Sequence, residues 1–512
     1  MYKVRVLQEI NDRLDAEYYN PAALSTLKKM ETKGTVTTFG DLVDEGYRVV
    51  YHGTDSINGL KDSEVLPFLS PTQIDANGSI NFEDADKLPL YYKDQYPKGL
   101  GKAGEILVEV KGNVSKVGIV PSAFPKNLMI SGSLYKATLN PRRVDSHYVL
   151  AFLKSKHGQI LKNRLTSNTI INYIAKDALY SIPVIELKEK AQKYIGDKIR
   201  QAEQLRAWAK RLERSLDAFI DHFQPEKKEY KKLFSRVPNN LLTNMLTATT
   251  YRERYISNQK NLKAISRIQP ISYYLSSITN GYDERNEIEN GLPYVKVANV
   301  RAGYIDLKNT PRVRLSALTD ASSKQKPEKG DLLLTRKGSF GIAAVVMESA
   351  SFLCSSEIFS CKPSKPEFMP ILSWFLNSEA GNMQFWQFST GTTMPGINQE
   401  NLQNILIPDF SACDIEQFNS IHKNRYEAKK NAELLTDTAK TLVEALIEGQ
   451  LAEQQLIQAQ QALEDGDNSL DQAILSKLSA EGYAIEGATP LFSDVDELYS
   501  LLEEAAQAEA EE

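Results

Sequence analysis

Apolar residues follow two different rhythms along this 512-residue chain, and the change from one to the other happens twice. Up to Pro183 they come in short runs bounded by Gly, Pro and Asn, such as Val65-Leu66-Pro67-Phe68-Leu69, Ile106-Leu107-Val108-Glu109-Val110 and Val117-Gly118-Ile119-Val120. Such runs predict buried strands. Helical spacing over Tyr148–Leu161 follows. Then Ile195, Ile199, Ala202, Leu205, Ala209, Leu212, Leu216, Phe219 and Phe223 recur at steps of mostly three and four, which predicts one long helix over 186–223. The succession repeats with Pro293-Tyr294-Val295-Lys296-Val297, Leu332-Leu333-Leu334 and Ala343-Ala344-Val345-Val346, a helical patch at Ile371–Phe385, and a second stripe through Phe418, Ile421, Ala428, Ala432, Leu435, Ala439, Leu442 and Leu446. Two stripes this narrow are expected to pair with each other. Because each follows an equivalent domain, an antiparallel pair sets those domains at opposite ends of a rod. A helix of ~38 residues at ~1.5 Å each spans ~57 Å.

The repetition extends to individual residues. Gly104-Glu-Ile-Leu-Val returns as Gly330-Asp-Leu-Leu-Leu, and the same offset carries Lys111-Gly112 onto Lys337-Gly338 and Pro67 onto Pro293. Further on, Ser155 and Gly158 pair with Ser378 and Gly381, Thr169 with Thr392, and Ile182-Pro183 with Ile407-Pro408, while Tyr19 answers Tyr255. A unit this long, present twice, is neither a solenoid repeat nor a propeller blade. The expected fold class is therefore α+β: two tandem-duplicated domains, 1–185 and 267–411, joined by two long antiparallel coiled-coil helices, 186–223 and 412–465. Residues 224–266 form a linker and the start of the second repeat, opened by Gln224-Pro225-Glu226-Lys227-Lys228, and 466–512 an acidic helical tail in which Ser469 and Ser493 are the expected N-caps.

Composition narrows the chemistry. Cys354, Cys361 and Cys413 share no CxxC spacing and no His cluster, so neither a disulfide framework nor a zinc site is indicated, and a reducing cytoplasm fits. No signal-peptide h-region and no membrane-spanning run is read from the sequence. The net charge of −5 divides unevenly: from Gly449 onward acids face Lys477 alone, leaving a balance of about +9 on the rest, compatible with phosphate contacts. Gly99-Leu-Gly-Lys102 lacks P-loop spacing, and no Asn-Pro-Pro-aromatic motif for base methylation is present. Asp177 with Glu186-Leu-Lys188 can be read as a nuclease fragment, but Glu186 and Lys188 equally suit the first turn of a helix. Lys111-Gly112-Asn113 and Arg336-Lys337-Gly338-Ser339 sit just beyond buried strands. They suit a turn that offers a phosphate oxygen both a cation and backbone N–H groups, or an ordinary hairpin turn with a solvated lysine. Thr166-Ser-Asn-Thr169 and Thr390-Gly-Thr-Thr393 are small, polar and equivalent, and hydroxyls of this kind also bond their own backbone. Tyr135, Tyr148, Trp374, Phe375 and Trp386 read as core.

Taken together, these residues resemble the DNA-specificity subunit of type I restriction-modification systems. Arg13-Leu-Asp-Ala-Glu-Tyr-Tyr-Asn-Pro21 is similar to that family's opening segment, and Gly330-Asp-Leu-Leu-Leu-Thr-Arg-Lys-Gly338 to its recognition-domain strand and turn. Thr390-Gly-Thr-Thr393 with Ile397, Leu402, Ile407-Pro408 and Glu416-Gln417 is similar to its domain ending. Ala191-Gln192 in place of Glu-Gln, and the acidic tail, depart from the pattern. The resemblance implies two target-recognition domains, each reading one half of a bipartite asymmetric site in double-stranded DNA. It implies a chain that is not itself an enzyme and works with two DNA methylation subunits and with restriction and translocase subunits, phage defence being its setting. S-adenosylmethionine, ATP and Mg would belong to those partners, none to this chain, and no metal site is expected. The candidates for DNA contact are Lys111, Asn113, Arg164, Asn168, Arg301, Arg336, Lys337, Ser339, Thr392 and Thr393; those for docking methylation subunits are Ile195, Leu205, Leu212, Leu435 and Leu442. The competing readings are a divergent nuclease using Asp177, Glu186 and Lys188, and a coiled-coil scaffold without base readout. The tail could be a docking helix, a clasp against the N-terminus, or a mimic of DNA charge.

If the helices act as a ruler, a matched pair of four-residue insertions near Ala209 and Ala439 adds about one turn, ~5.4–6 Å, while keeping the stripe in register. At ~3.4 Å per base pair the unspecified spacer should lengthen by nearly two base pairs with both half-sites unchanged. Selection from duplexes of variable spacer length measures this, and an unaltered spacer in a folded, binding variant would remove the helices as the distance-setting element.

Overall fold

The computed structural model describes residues 16–167, 171–225, 236–239, 242–243, 245–391 and 393–511, and the chain divides into two compact units. Unit 1 comprises residues 1–209 and 426–512, and unit 2 residues 210–425.

Unit 1 opens with a helix, Pro21–Lys33, whose first turn is capped by the Asn20 side chain. Its strands are β1 (Val36–Thr38), β2 (Val43–Tyr47), β3 (Val65–Leu69), β4 (Asp86–Pro89), β5 (Ile106–Glu109) and β6 (Lys111–Gly112). They continue with β7 (Val117–Ile119), β8 (Met129–Ile130), β9 (Leu134–Leu139), β10 (Asn172–Tyr173) and β11 (Pro183–Ile185). The central sheet is antiparallel in the order β2-β9-β5-β7, and every residue of β5 is buried. This explains the unbroken apolar run at 106–108, since a strand covered on both faces has no reason to alternate. A smaller sheet runs β4-β3-β8, with β3 and β8 parallel, and β1 pairs with β11. Two short helices, Ser146–Lys154 and Lys156–Asn163, pack at a bend marked by Ser155, whose hydroxyl accepts the Gly158 N–H. A Cβ at Gly158 would run into the Phe152 carbonyl oxygen, so the bend requires glycine there.

Unit 2 repeats this plan. Its strands are β12 (Ile268–Pro270), β13 (Leu275–Asn280), β14 (Leu292–Val295), β15 (Val300–Arg301), β16 (Tyr304–Ile305) and β17 (Arg312–Val313). After them come β18 (Leu332–Thr335), β19 (Ala343–Val345), β20 (Leu353–Cys354), β21 (Ile358–Pro363) and β22 (Leu406–Pro408). The central order β13-β21-β18-β19 and the second sheet β17-β14-β20, again with one parallel pair, match those of unit 1, as does β12 with β22. Helices Met369–Asn377 and Glu379–Gln387 meet at Ser378, which caps Gly381 as Ser155 caps Gly158. The repetition reaches an ion pair on a buried carboxylate, its lysine buried in unit 1 and half-buried in unit 2. Lys136 Nζ bonds Glu105 at 2.9 Å and the Leu100 carbonyl, and Lys362 Nζ bonds Asp331 at 2.6 Å and the Lys326 carbonyl. Each carboxylate also accepts a backbone N–H three residues upstream, from Lys102 or Glu328.

The stripe expected over 186–223 forms a helix at Glu189–Ala218, shorter than its periodicity suggested. At its start Glu186 is still extended, its N–H given to the Thr35 carbonyl. At its far end the chain tightens into a 3₁₀ turn, Asp221–Phe223, that buries Ile220 and Phe223. The second stripe forms Ala412–Glu448 and stops at Gly449, where φ is +78°; a separate helix, Glu453–Glu464, follows, so 412–465 is not one helix. Within unit 1, Arg206 donates to Thr436 and to the Ala432 carbonyl; within unit 2, Arg425 pairs with Glu213 at 2.7 Å and Phe219 meets Phe418 edge-on.

The tail is folded against the first long helix in unit 1. Glu453 accepts the Lys188 N–H, Glu464 takes Lys190 and Lys193, and Asp471 takes Lys198 at 2.7 Å with both side chains almost fully buried. The hydroxyls of Tyr194 and Tyr499 donate to the same carboxylate. Burial alone would raise the Asp471 carboxyl, but these three donors outweigh it and hold it below its usual range. The N-caps lie one residue away from expectation, Asn468 before the helix Ser469–Leu475 and Asp494 before Val495–Ala510.

Asp471→Ala leaves the Lys198 ammonium buried without its partner, which should cost about 3–5 kcal/mol and expose the tail to limited proteolysis while residues 210–425 stay resistant. Because the folded-state carboxyl is depressed, this attachment is intact above ~pH 4 and should weaken as pH falls below that value.

Candidate nucleic-acid interface

Just past the buried end of β5, the chain makes a turn over Val110–Lys116 that Glu109 holds from beneath. Glu109 is itself buried, its Oε1 accepting the Asn113 N–H at 3.2 Å and its Oε2 those of Ser115 at 2.9 Å and Lys116 at 3.1 Å. Gly112 takes φ +118° because a Cβ there would meet the Glu109 carboxylate. Lys162, fully buried, donates its ammonium to the Val114 carbonyl; burial and the neighbouring Lys154 push its pKa down to about 8. What this frame leaves outside is Lys111, Asn113 and Ser115, all exposed. The pairing of β6 with β10 then sets Lys111 opposite Tyr173, over whose ring the Arg48 guanidinium lies at 5.4 Å while donating to the Gly132 carbonyl.

One expectation changes here. Of the two readings of this turn, the one that pairs backbone N–H groups with a cation loses its amides, since those of Asn113, Ser115 and Lys116 are already taken by Glu109. Those three amides are therefore not open to an incoming anion, and what the turn exposes is the Lys111 ammonium with the Asn113 and Ser115 side chains.

Unit 2 places the same turn at the same point of its sheet but braces it differently. Thr335 stands where Glu109 stands, and its buried hydroxyl accepts the Ile342 N–H at 2.9 Å. Phe340 packs edge-on against Trp386 with ring centroids 4.8 Å apart, and Gly341 lies against Phe385. Lys337, Gly338 and Ser339 are exposed, and Lys337 bridges to Gly396, which pairs in turn with Thr390. Thr390 and Gly396 thus lie beside the turn, with Thr393 and Met394 exposed between them, as Ser167 and Tyr173 do in unit 1.

The remaining candidates fall elsewhere. Arg336 is drawn inward, bonded to the Ser356 carbonyl at 3.1 Å with its guanidinium over Phe359. Arg164 is half-buried over the Tyr18 ring at 4.4 Å, and Arg301 is exposed on the separate β15–β16 hairpin. Asn168 and Thr392, like Thr169 and Arg13, lie outside the described residues. Ile195, Leu205, Leu435 and Leu442 are fully buried and Leu212 is half-buried. The four buried side chains are spent on the fold, so a docked subunit would have to use other faces of the helices. Trp386, expected in the core, is 48% exposed. Asp177, Glu186 and Lys188 form no metal-holding group: Glu186 faces Arg143 at 3.8 Å, and among the described residues no cluster of His, Cys, Asp and Glu could bind an ion. The three cysteines are free, and among the described residues no helix is long and apolar enough to cross a membrane.

No protein-family model and no curated protein matches the chain. Among solved structures it is similar to the type I restriction-modification system S subunit from M. genitalium, at 15% identity and a TM-score of 0.41, over 80% of this chain and 95% of that one. It is similar also to the HsdS subunit from Thermoanaerobacter tengcongensis, at 13% identity and a TM-score of 0.27, over 81% and 97%. A third similar chain comes from a study of complex assembly and conformational transition of the type I R-M system, at 13% identity and a TM-score of 0.30, over 81% and 98%.

Glu109 and Lys162 escaped sequence reading, although an acid inside an apolar strand run is a visible signal that it must find donors. Glu109→Ala should free the three amides it holds. With each charged hydrogen bond worth about 1.5–3 kcal/mol, their hydrogen exchange should accelerate by roughly 10- to 100-fold. Unchanged protection at Asn113, Ser115 and Lys116 would show that the turn holds itself.

Proposed function

We propose that this chain is a non-catalytic, sequence-specific DNA-binding subunit of a type I restriction-modification complex, each unit reading one half of a bipartite asymmetric site. The observation that carries this reading is that one topology occurs twice and presents, at the same point of each sheet, an exposed lysine on a turn whose bracing and side chains differ. Equal scaffolds bring equal phosphate contacts, and unequal turns bring unequal base contacts. Small polar residues beside each lysine, Asn113 and Ser115 in one unit and Ser339 and Thr393 in the other, have the reach and donor chemistry for base edges.

On this reading the long helices form the antiparallel element that fixes the spacing between half-sites, and two methylation subunits dock on helix faces outside the buried seam. S-adenosylmethionine, ATP and Mg are bound by those subunits and by the restriction and translocase subunits. The nuclease alternative is not favoured, because among the described residues Asp177, Glu186 and Lys188 form no group that could hold a metal and Glu186 faces Arg143.

Selection of the full chain with its methylation partner against a random duplex library tests the reading. Enrichment of two short motifs at fixed spacing is expected, metal-dependent cutting by the chain alone would favour a nuclease, and no enrichment would leave a scaffold. Substituting Lys111 or Lys337 by Ala should weaken binding to all sequences and lower the salt slope by about 0.9, without relaxing base preference.

A further inference from the structure

Beside the unit 2 turn lies a cavity of about 590 Å³ that the duplicated plan does not account for. Arg254 and Tyr255 form one wall, from the helix Glu253–Ile265, and Asn382 and Trp386 form another, from the helix Glu379–Gln387. The Arg254 guanidinium stacks on the Tyr255 ring at 4.5 Å and bonds its hydroxyl, while its buried Nε has no hydrogen-bond partner among the described residues. Glu379 sits at the first turn of its helix and offsets the positive end of the helix dipole, which leaves Arg254 as the cation an anion would meet.

Trp386 connects this cavity to the reading turn, because its exposed indole packs against Phe340, the residue after Ser339. Large exposed aromatics are costly to leave in water and suit a ligand that is flat or ring-shaped and polar at its edge. Unit 1 has an arginine on a tyrosine ring, Arg164 over Tyr18, but no tryptophan beside it at the corresponding place. Eight residues after its Ser155 stands Asn163, where Trp386 stands eight after Ser378, and Tyr18 precedes Tyr19 where Arg254 precedes Tyr255.

We infer that this cavity is a second DNA contact belonging to unit 2 alone, in which the Trp386 indole packs against a deoxyribose and Arg254 takes the adjoining phosphate, next to the bases that the turn reads. The inference rests on the proposed DNA-binding function. It deepens that reading by assigning unit 2 a sugar-phosphate grip that unit 1 does not have.

The chain has three tryptophans, and the other two are poor reporters of a ligand: Trp208 is buried, and Trp374 bonds Asp217 and lies under Arg425. Acrylamide quenching of the full chain, free and bound to a duplex carrying its selected site, therefore reads Trp386. DNA should reduce the quenchable component severalfold, and the change should vanish in Trp386→Phe, which keeps the ring packed on Phe340. Arg254→Gln should lower the salt slope by about 0.9 with base preference unchanged. Duplex binding is followed separately by anisotropy of labelled DNA. If the duplex binds while Trp386 stays fully quenchable and the Arg254→Gln slope is unchanged, the second contact is wrong and the DNA-binding reading stands. Shielding of Trp386 by the methylation partner without DNA would also overturn it, and a chain that binds no duplex overturns both.

Discussion

The pair of a lysine on one central strand and a buried carboxylate at the start of its neighbour is the constraint on which both units depend. Lys136 with Glu105, and Lys362 with Asp331, join strands β9 to β5 and β21 to β18 at the end opposite the Lys111 and Lys337 turns. A one-residue slip of either strand would turn the lysine to the other face and leave a desolvated carboxylate without its partner, at a cost of several kcal/mol. The pair therefore fixes register, and register decides where β5 and β18 run out and which residues stand in the turn. Its further bonds to the Leu100 and Lys326 carbonyls, and the N–H groups of Lys102 and Glu328, satisfy the remaining groups. The charges are thus tolerable in the interior and cannot be moved.

With register held from behind, the front of each sheet is free to diverge. Unit 1 supports its turn with a carboxylate and a buried ammonium, Glu109 and Lys162; at the corresponding places unit 2 has Thr335 and Phe385. A polar brace fixes backbone amides one by one, whereas an aromatic brace fixes the turn by volume. Both leave a lysine and short polar side chains outside. On the proposed function, a rear shared by the two units and a front that differs between them would let the chain hold the same backbone of DNA against different bases.

Much of this was legible in the sequence where periodicity or repetition carried it. Both strand-rich halves, both stripes and the turns at Lys111 and Lys337 lie where the pattern put them, whereas each helical patch, 148–161 and 371–385, is broken into two helices at Ser155 and Ser378. Helix ends were less legible, because apolar spacing continues through the 3₁₀ turn that buries Phe223 and past the stop at Gly449. The paired lysines could not be found, since Lys136 and Lys362 look like any lysine and their partners lie about thirty residues away. Trp386 misled for the opposite reason: its neighbours Phe385 and Phe388 are core, and a helix face turns away from the interior within one residue. Four of the five seam residues assigned to docking, Leu212 excepted, are buried in the fold, because a stripe alone does not say which surface will cover it.

Unit 1 is assembled from two distant stretches of the polypeptide, with the whole of unit 2 encoded between them. As the ribosome delivers the chain from its N-terminus, residues 210–425 are complete and can close their core while the first unit still waits for the segment that carries Asp471 and Tyr499. The earlier stretch must meanwhile keep Lys198 and the stripe around Ile195 uncovered. Contacts across more than two hundred residues of intervening sequence form slowly, and the exposed intermediate is open to aggregation. The helices after residue 425 thus govern the maturation of unit 1, and a chain stalled before residue 471 would carry a finished unit 2 attached to an unfinished unit 1.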